Sequence, residues 1–407
     1  MLRKNHGYKS QSKLRGVIPS AVRDNSTCAL NIIPTSRDSF SASLIKFESH
    51  NKNLSSRLSR LRQKFSAYKI DGLIFFNMSN IRYLSGFTGS EGILLINSRK
   101  AILLVDGRYT VQAGLEATDI QIIEYSDKIK GIFQAIKKLK LKRIGFEANS
   151  ITVEMYNQLT NHMQNEVFVD LADELKFIRA YKEETEIALM KKAAEISSAA
   201  ILSLMNQIKP GCTEKEVALQ LEYNARISGA DGLAFEAIVA AGENSALPHA
   251  QPTDRKIKKG DFVVIDFGVK YRGYCSDETC TIAFGKLTDR QKNAYQIVKD
   301  AHDRALAMIK ENIHAADIDH CARSVFGKKY GRYFVHGTGH GVGLEVHEAP
   351  RLAANSDDIL KPQMVVTVEP GLYIPGLWGI RIEDTVLVKK NSCEKLTKMD
   401  KELLIIE

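Results

Sequence analysis

Two acidic residues occur in an apolar segment that is predicted to fold back on itself. The segment VVIDFGVKYRGYCSDE, residues 263–278, is typical of a β-hairpin that turns at YRG, with Asp266 on one arm and Asp277 on the other. If the hairpin is symmetric about the 271/272 bond, these aspartates face each other with Cβ atoms roughly 5 Å apart, where like charges destabilise the pair. The pattern therefore indicates that something compensates for two opposed anions.

The closing part of the sequence repeats this pattern. VVTVEPGLYIP and GIRIEDTVLV are two strand patterns joined by a Pro/Gly loop centred near Gly376. A symmetric turn there places Glu369 opposite Glu383, among apolar neighbours. Burying several carboxylates without compensation costs many kcal/mol. Arg381 is the nearby counter-charge, and one arginine is too little for four acids.

Two divalent cations would balance the four carboxylates. His340 adds a nitrogen ligand from a Gly-rich segment where little side-chain bulk obstructs approach. Carboxylates with one imidazole suit Mn(II), Co(II), Fe(II) or Zn(II), whereas four thiolates would indicate a structural zinc site. Two ions roughly 3.5–4 Å apart would hold a bridging water, lower its pKa and present hydroxide to a carbonyl. We therefore predict a dinuclear hydrolytic centre, with Mn(II) as the first expectation.

Length and composition limit the alternatives. The 407 residues, 44% of them hydrophobic, are enough for two or three domains. No uninterrupted apolar run is long enough for a membrane span. The net charge of +9 is concentrated in residues 1–40, which carry seven basic and two acidic residues, so we expect no nucleic-acid partner. The six cysteines lack zinc-site spacing and are expected to be reduced thiols in a cytoplasmic protein.

The sequence is predicted to contain three regions. Residues 1–50 are a basic, Ser-rich extension whose composition loosely resembles a transit peptide; the alternatives are a disordered extension or a start site placed too early. Residues 51–172 alternate strands with helices, which predicts an α/β domain. Residues 175–407 begin with a long amphipathic helix, followed by a helix that starts at a capping box formed by Thr213 and Glu216. Mainly strand patterns follow.

Residues 175–400 resemble the pita-bread metallopeptidases, a family that includes aminopeptidase P, prolidase and methionine aminopeptidase. The matching stretches are VVIDFGVKYRGYCSDETCT, HGTGHGVGLEVHEAP, TVEPGLYIP and GIRIEDTVLV. The resemblance implies an α+β catalytic domain with a curved antiparallel sheet. NIRYLSGFTGSEG and KAILLVDGRYTVQA resemble the creatinase/prolidase N-terminal domain. The metal ligands that the resemblance implies are Asp266, Asp277, His340, Glu369 and Glu383. Asp266 and Asp277 would chelate one ion, His340 and Glu369 the other, and Asp277 and Glu383 would bridge both.

The resemblance also implies roles for three histidines. His249, in the segment LPHA, matches a residue that contacts the substrate and handles protons. His347, in EVHEAP, matches the histidine that contacts the scissile peptide and helps to stabilise the tetrahedral intermediate. His336 begins HGTGH and matches a residue that lines the proline-side subsite.

Three further residues complete the implied site. Glu369 would also act as the acid/base that accepts the proton of the attacking water. Arg381 would hold either a ligand carboxylate or the substrate terminus. Tyr373 is a candidate for the wall of the substrate pocket.

The large N-terminal domain and Arg381 separate this sequence from methionine aminopeptidases, and the complete ligand set argues against creatinase activity. Aminopeptidase P and prolidase remain, and we favour aminopeptidase P. It would use a metal-bridged hydroxide to hydrolyse the bond between an N-terminal residue and a following proline. The alternatives are an Xaa-Pro dipeptidase (prolidase) and a non-catalytic pita-bread binding module. We expect a homodimer or larger homo-oligomer and no membrane partner.

Overall fold

Six strands with flanking helices form the first part of the chain. The computed structural model describes residues 54–163 and 165–407, so the extension predicted for residues 1–50 lies outside the described residues. The helices of this part are α1 (54–62), α2 (Phe65–Tyr68), α3 (Met78–Ser85), α4 (Thr110–Glu116), α5 (Lys128–Leu139), α6 (Val153–Asn161) and α7 (Ala172–Leu175). The strands are β1 (Gly72–Phe75), β2 (Ile93–Asn97), β3 (Ala101–Val105), β4 (Gln121–Glu124), β5 (Arg143–Phe146) and β6 (Val167–Asp170).

These strands form one mixed sheet in the order β4-β3-β2-β1-β5-β6. Successive residues of a strand point to opposite faces, and central strands covered on both faces are apolar throughout. In β2, Ile93 and Leu95 pack in the core that contains α5. Leu94 and Ile96 pack in a second core, which includes residues of the long helix that follows this part. The sheet is thereby fixed against the rest of the protein. The domain boundary predicted near residue 172 follows β6 and stays a prediction.

The second part of the chain is richer in strands. Its helices are α8 (Glu184–Met205), α9 (Glu214–Ile227), α10 (Asp289–Met308) and α11 (Ala315–Tyr330). Its strands are β7 (Gly232–Leu233), β8 (Ile238–Ala241), β9 (Phe262–Phe267), β10 (Val269–Tyr271), β11 (Tyr274–Cys275), β12 (Glu278–Phe284), β13 (Gly339–Gly341), β14 (Glu348–Leu352), β15 (Val365–Val368), β16 (Gly371–Ile374), β17 (Trp378–Arg381), β18 (Asp384–Val388), β19 (Cys393–Lys395) and β20 (Ile405–Ile406).

Two sheets of this part carry the predicted ligands. One has the order β20-β12-β9-β8 and the other β14-β13-β15-β18-β19, and nearly all pairs are antiparallel. The capping box of Thr213 and Glu216 is confirmed at the start of α9. The HGTGHGVGLEVHEAP segment contributes β13 and the start of β14. Within the described residues, no helix has both the length and the apolar character needed to cross a bilayer.

The first predicted hairpin forms with a different register. β9 and β12 pair Asp266 with Thr279, and β10 and β11 pair Tyr271 with Tyr274. The hairpin is therefore centred on the 272/273 bond, and the prediction that Asp266 and Asp277 face each other directly is wrong. Arg272 and Gly273, with φ of 49° and 82°, provide the two positive φ angles of a type I′ turn, whose twist matches that of the paired strands. Asp277 lies two positions from the partner of Asp266, so the two side chains still share a face.

The second predicted hairpin has the expected centre. β15 and β18 pair Val368 with Asp384, and β16 and β17 pair Gly371 with Arg381. Both registers are symmetric about Gly376. Glu369 and Glu383 therefore fall opposite each other, in the gap between the two ladders.

Candidate metal centre and active-site cleft

The predicted metal ligands converge from two hairpins and one short strand. Asp277, His340 and Glu383 each offer a ligand atom, and these three atoms lie within 4.8 Å of one another. Nε2 of His340 is 3.3 Å from Oε1 of Glu369 and 3.6 Å from Oδ2 of Asp277. Asp266 lines the same cleft, and its Oδ2 accepts a hydrogen bond from Nη2 of Arg381. The structure thus brings the five predicted ligands to one place.

This cluster holds more acids than the chain neutralises. Burial raises the pKa of Asp277 and of Glu383 well above their ordinary values, and the charges of neighbouring carboxylates raise them further. Burial also raises the pKa of Asp266, against the opposing charge of Arg381. Burial also tends to raise the pKa of Glu369, but the hydrogen bond between Glu369 and His340 outweighs burial and lowers this pKa to about 2. Ionised carboxylates that are this costly to bury need additional positive charge nearby to stabilise them.

Two orphaned oxygen atoms show where that charge would bind. Oδ1 of Asp266 and Oε1 of Glu383 are buried and have no hydrogen-bond partner in the part of the chain that the structure describes. Native proteins rarely bury a polar atom without a partner, unless a water or an ion fills that place. Four carboxylates and one imidazole are ligands that Mn(II), Fe(II), Co(II) and Zn(II) accept. The residues present therefore fit a pair of divalent cations.

Glycines let the His340 strand fit between its neighbours. A Cβ at Gly339 would collide with the carbonyl oxygen of Thr367, and one at Gly341 with that of Ala349. The backbone N–H of His340 donates to Oγ1 of Thr367 at 3.1 Å, and Nδ1 lies 3.1 Å from the carbonyl oxygen of Gly341. Because Nδ1 has this partner, Nε2 is directed at the carboxylates as a metal ligand requires.

Helix α11 holds the segment that precedes β13. The buried carboxylate of Asp319 accepts hydrogen bonds from the backbone N–H of Thr338 at 3.0 Å and from its hydroxyl at 2.9 Å. Arg323 donates to the carbonyl oxygens of Phe334, at 2.9 Å, and His336. The backbone around His336 is therefore fixed by side chains that do not enter the cleft.

The three predicted histidines all line the cleft. Nε2 of His336 is 2.9 Å from the hydroxyl of Tyr373, and burial lowers the pKa of this imidazole. The rings of His347 and His340 have centroids 4.2 Å apart, and burial together with His340 lowers the pKa of His347. His249 is exposed to the cleft. The structure thus places three imidazoles around the candidate metal centre.

Arg381 is buried and engaged by four groups. Its Nη1 donates to the carbonyl oxygen of Pro248 at 2.9 Å and to the hydroxyl of Tyr373 at 2.8 Å, Nε donates to Oγ1 of Thr279 at 3.2 Å, and Nη2 bonds Asp266. Of the two predicted roles, these contacts fit that of holding a ligand carboxylate. Tyr373 is not among the residues that line the cleft; it lies between Arg381 and His336, and burial raises its pKa to about 12.

The cleft has a volume of about 870 Å³ and contains charged residues that the sequence did not single out. Lys176 is neutralised by Asp358, with Nζ 3.2 Å from Oδ1. Arg351 lies exposed on β14, and its guanidinium forms no ion pair within residues 54–163 and 165–407. No usable signal for Arg351 was present in the sequence, because His347 lies before β14 and the pairing of β14 with β13 is irregular, so that even spacing does not place the two residues on one face.

Cations near the start of the second part of the chain anchor the segment that carries His347. Nη2 of Arg179 is 2.6 Å from Oε2 of Glu345, and Nε is 3.1 Å from Oε2 of Glu348. Nζ of the buried Lys182 is 2.7 Å from Oε1 of Glu348. Asn77, from the first part of the chain, donates to Oε1 of Glu345 at 3.0 Å. The N-terminal sheet region is therefore linked to one wall of the cleft.

Comparisons with known proteins agree with this arrangement. The model of metallopeptidase family M24 matches residues 188–390, and that of the creatinase/prolidase N-terminal domain matches residues 57–181. A relative in Pyrococcus furiosus, an Xaa-Pro dipeptidase, is 36% identical over 350 residues, which are 86% of this chain and 99% of that protein.

Two solved structures are similar over nearly their whole length. An Xaa-Pro dipeptidase from Bacillus anthracis has a TM-score of 0.84 and 40% identity, covering 87% of this chain and 100% of that one. An X-Pro aminopeptidase from Thermotoga maritima has a TM-score of 0.80 and 39% identity, covering 86% and 99%. The predicted fold is confirmed. With a creatinase-like N-terminal domain followed by a pita-bread catalytic domain, this chain belongs to metallopeptidase family M24.

Proposed function

We propose that this metallopeptidase is an Xaa-Pro dipeptidase that acts with two divalent metal ions. The sequence favoured aminopeptidase P and kept the dipeptidase as the alternative. The relatives named as Xaa-Pro dipeptidases support the alternative better than that first interpretation. Aminopeptidase P remains a second candidate because of the similar X-Pro aminopeptidase of Thermotoga maritima. The predicted homo-oligomer and cytoplasmic location stay predictions.

The observation that carries the proposal is the cluster of buried carboxylates with orphaned oxygens beside a cleft. The residues that would hold the two ions are Asp266, Asp277, His340, Glu369 and Glu383. When bound, such ions polarise a carbonyl oxygen and lower the pKa of water. Mn(II) remains our first expectation, and cellular availability decides among the ions that this ligand set accepts.

The side chains of the cleft have separate roles in proton transfer and substrate binding. Glu369 lines the cleft and offers a carboxylate oxygen that can accept the proton of the attacking water. The lowered pKa of His347 keeps its imidazole neutral at pH 7, so that one ring nitrogen can donate to the scissile peptide. His249 provides a second imidazole for proton handling, and His336 a wall of the proline-side subsite. Arg381 holds Asp266 in place.

Arg351 supports a preference for dipeptides. In an Xaa-Pro dipeptide the proline carries a free carboxylate, and a guanidinium is the side chain best suited to bind it. Arg351 lines the cleft with no ion pair among the described residues, so its charge is available. In a longer peptide this carboxylate is replaced by an uncharged amide, and the interaction is lost.

A comparison of three substrates tests the proposal. Metal-depleted enzyme reloaded with Mn(II) should hydrolyse Ala-Pro with a kcat/KM at least roughly 100-fold above that for Ala-Pro-Ala, and Ala-Ala serves as the control without proline. A preference for the tripeptide would replace the dipeptidase with aminopeptidase P. If the metal-loaded protein cleaves neither proline peptide, the catalytic proposal fails in favour of a binding module.

A pair of variants tests the role of Arg351. Arg351→Met should raise KM for Ala-Pro while Mn(II) binding is unchanged, because it removes the counter-charge for the carboxylate without touching a ligand. Lys176→Met is the matched control, since Asp358 already neutralises Lys176. Equal effects of the two substitutions on KM would contradict this role.

A further inference from the structure

A second cluster of buried charges lies directly behind the candidate metal centre. It is built on the residues that follow two metal ligands, Glu278 after Asp277 and Asp384 after Glu383. Successive residues of a strand point to opposite faces of the sheet. When a ligand faces the cleft, the next residue therefore points to the face away from the cleft. Glu278 and Asp384 are both 0% exposed, and neither lines the cleft.

The C-terminal segment supplies the counter-charges of this rear cluster. Nζ of the buried Lys401 lies 2.7 Å from Oε1 of Glu278 and 3.7 Å from Oδ1 of Asp384. Nζ of Lys395 lies 2.7 Å from Oδ2 of Asp384. Glu278 begins β12 and Asp384 begins β18, so one ammonium group joins the two strands that follow the ligands Asp277 and Glu383.

Neutral groups complete the hydrogen bonding of Glu278. The backbone N–H of Met399 donates to its Oε1 at 3.0 Å, and the hydroxyl of Ser198 donates to its Oε2 at 2.5 Å. The hydroxyl of Thr397 donates to Oδ1 of Asp384 at 2.7 Å. Oδ2 of Asp384 has no hydrogen-bond partner among the described residues, and the charge of Lys395 compensates for it. A buried polar network with so few spare partners is sensitive to the loss of one member.

We propose that Lys401 is a positioning residue for the metal centre. By tying Glu278 to Asp384, it fixes the spacing of the preceding residues, Asp277 and Glu383, which offer ligand atoms to the same ion site. The inference rests on the proposed metal site and extends it to a residue that does not touch the cleft. Groups that orient metal ligands from outside commonly change metal affinity by 10–100-fold when they are removed.

The test separates metal affinity from stability. Full-length protein stripped with EDTA is titrated with Mn(II) by calorimetry, and thermal unfolding is measured in parallel. Lys401→Met should weaken Mn(II) binding about 10–100-fold and should also lower the unfolding temperature, because it leaves Glu278 buried without its cation. Lys191→Met is the control, since Lys191 pairs with Glu394 at the surface and should leave Mn(II) affinity unchanged.

A double variant makes the test decisive. Glu278→Gln/Lys401→Met removes both charges, and the new amide can keep the contacts with Met399 and Ser198. We expect an unfolding temperature close to that of the wild type, with Mn(II) binding still at least about 10-fold weaker. If Mn(II) affinity returns together with stability, or if Lys401→Met binds Mn(II) as the wild type does, Lys401 is a structural residue only and the inference is overturned. A wild-type protein that takes up no Mn(II) would instead refute the metal site itself.

Discussion

Two adjacent acidic residues, Glu383 and Asp384, belong to buried clusters of opposite character. Burial and the charges of neighbouring acids raise the pKa of Glu383 well above its ordinary value. Asp384 is equally buried, but the imidazole of His302, with Nε2 3.3 Å from Oδ2 of Asp384, and the charge of Lys401 outweigh burial and lower its pKa to about 2. Burial alone therefore does not decide the state of a carboxylate; the partners that the chain provides decide it.

The positions of the two clusters explain their different composition. The acids of the rear cluster are fully buried and have cations of the chain beside them, the buried Lys401 and the exposed Lys395. The front cluster, which consists of the five predicted metal ligands, opens to a cleft of about 870 Å³. Among the described residues, the one permanent cation paired with its acids is Arg381, which bonds Asp266. A deficit of positive charge beside an opening is thus the physical signature of the candidate metal site.

The largest effect should follow from breaking the front cluster. Asp277→Asn removes a ligand of the two proposed metal ions. Because such ions contribute several kcal/mol to catalysis, we expect kcat to fall at least about a thousandfold. The same change relieves repulsion among buried acids, so the metal-free variant should unfold at a temperature no lower than that of the metal-free wild type. Mn(II) should raise the unfolding temperature of the wild type and have much less effect on the variant.

The unfolding temperatures without metal and with Mn(II) distinguish a loss of metal binding from a loss of folding, either of which would abolish activity. The variant must be purified, analysed for metal and shown to unfold cooperatively before its activity is compared. Full hydrolysis of Ala-Pro by such a preparation would contradict the proposed role of Asp277. A metal-free variant less stable than the metal-free wild type would show that the front acids do not repel one another as we describe.

The corresponding change in the rear cluster should lower stability even without metal, in addition to the weaker Mn(II) binding that we expect when the tie between Lys401 and Asp384 is lost. Asp384→Asn removes a buried negative charge that faces the buried Lys401 as well as the exposed Lys395, which should lower the free energy of unfolding by about 3 kcal/mol. The loss should appear with and without Mn(II), and urea denaturation in both conditions measures it. Asp400→Asn, an exposed substitution in the same C-terminal segment, is the control and should change stability by less than about 0.5 kcal/mol. A wild-type stability for Asp384→Asn would remove the distinction between the clusters.

The sequence predicted the front cluster because its members stand in recognisable local patterns. Each hairpin shows acids on apolar strands with a turn between them, and the turn at Gly376 is located well enough to pair Glu369 with Glu383. The turn after Tyr271 was placed one bond too early. A two-residue turn at Arg272 and Gly273 and a longer turn that includes Tyr271 have similar residue preferences.

No local sequence pattern indicated the rear cluster. Lys401 and Glu278 are separated by 123 positions along the chain, and a lysine near the C-terminus is ordinarily a solvated residue. The anchoring of Glu348 by Arg179 spans 169 positions and was equally hidden. Local patterns identify residues that do chemistry, whereas the residues that hold them depend on tertiary contacts that pattern analysis does not reach.

The smallest effect is a pH dependence that distinguishes the clusters without any substitution. In metal-free protein the raised pKa values of Asp277 and Glu383 mean that the folded state keeps protons that the unfolded state has released. The free energy of unfolding is therefore highest below their ordinary values of 3.8 and 4.5 and falls as pH rises toward the raised values. Asp384 acts in another window, because its contribution is lost only as pH falls from 3.8 to about 2.

Comparing metal-free with Mn(II)-loaded protein at each pH above 4.5 isolates the front cluster. The lowered pKa values of His336 and His347 make stability rise with pH, but only up to about 6.5, where the unfolded histidines lose their protons. The raised pKa of His340 adds to the fall above that value. Urea unfolding in EDTA should thus show a stability that decreases by up to about 1.4 kcal/mol per pH unit for each retained proton. Saturating Mn(II) should flatten this slope, because the ligands are then ionised in the folded state. Equal slopes with EDTA and with Mn(II) would contradict the assignment of these protons to the metal ligands.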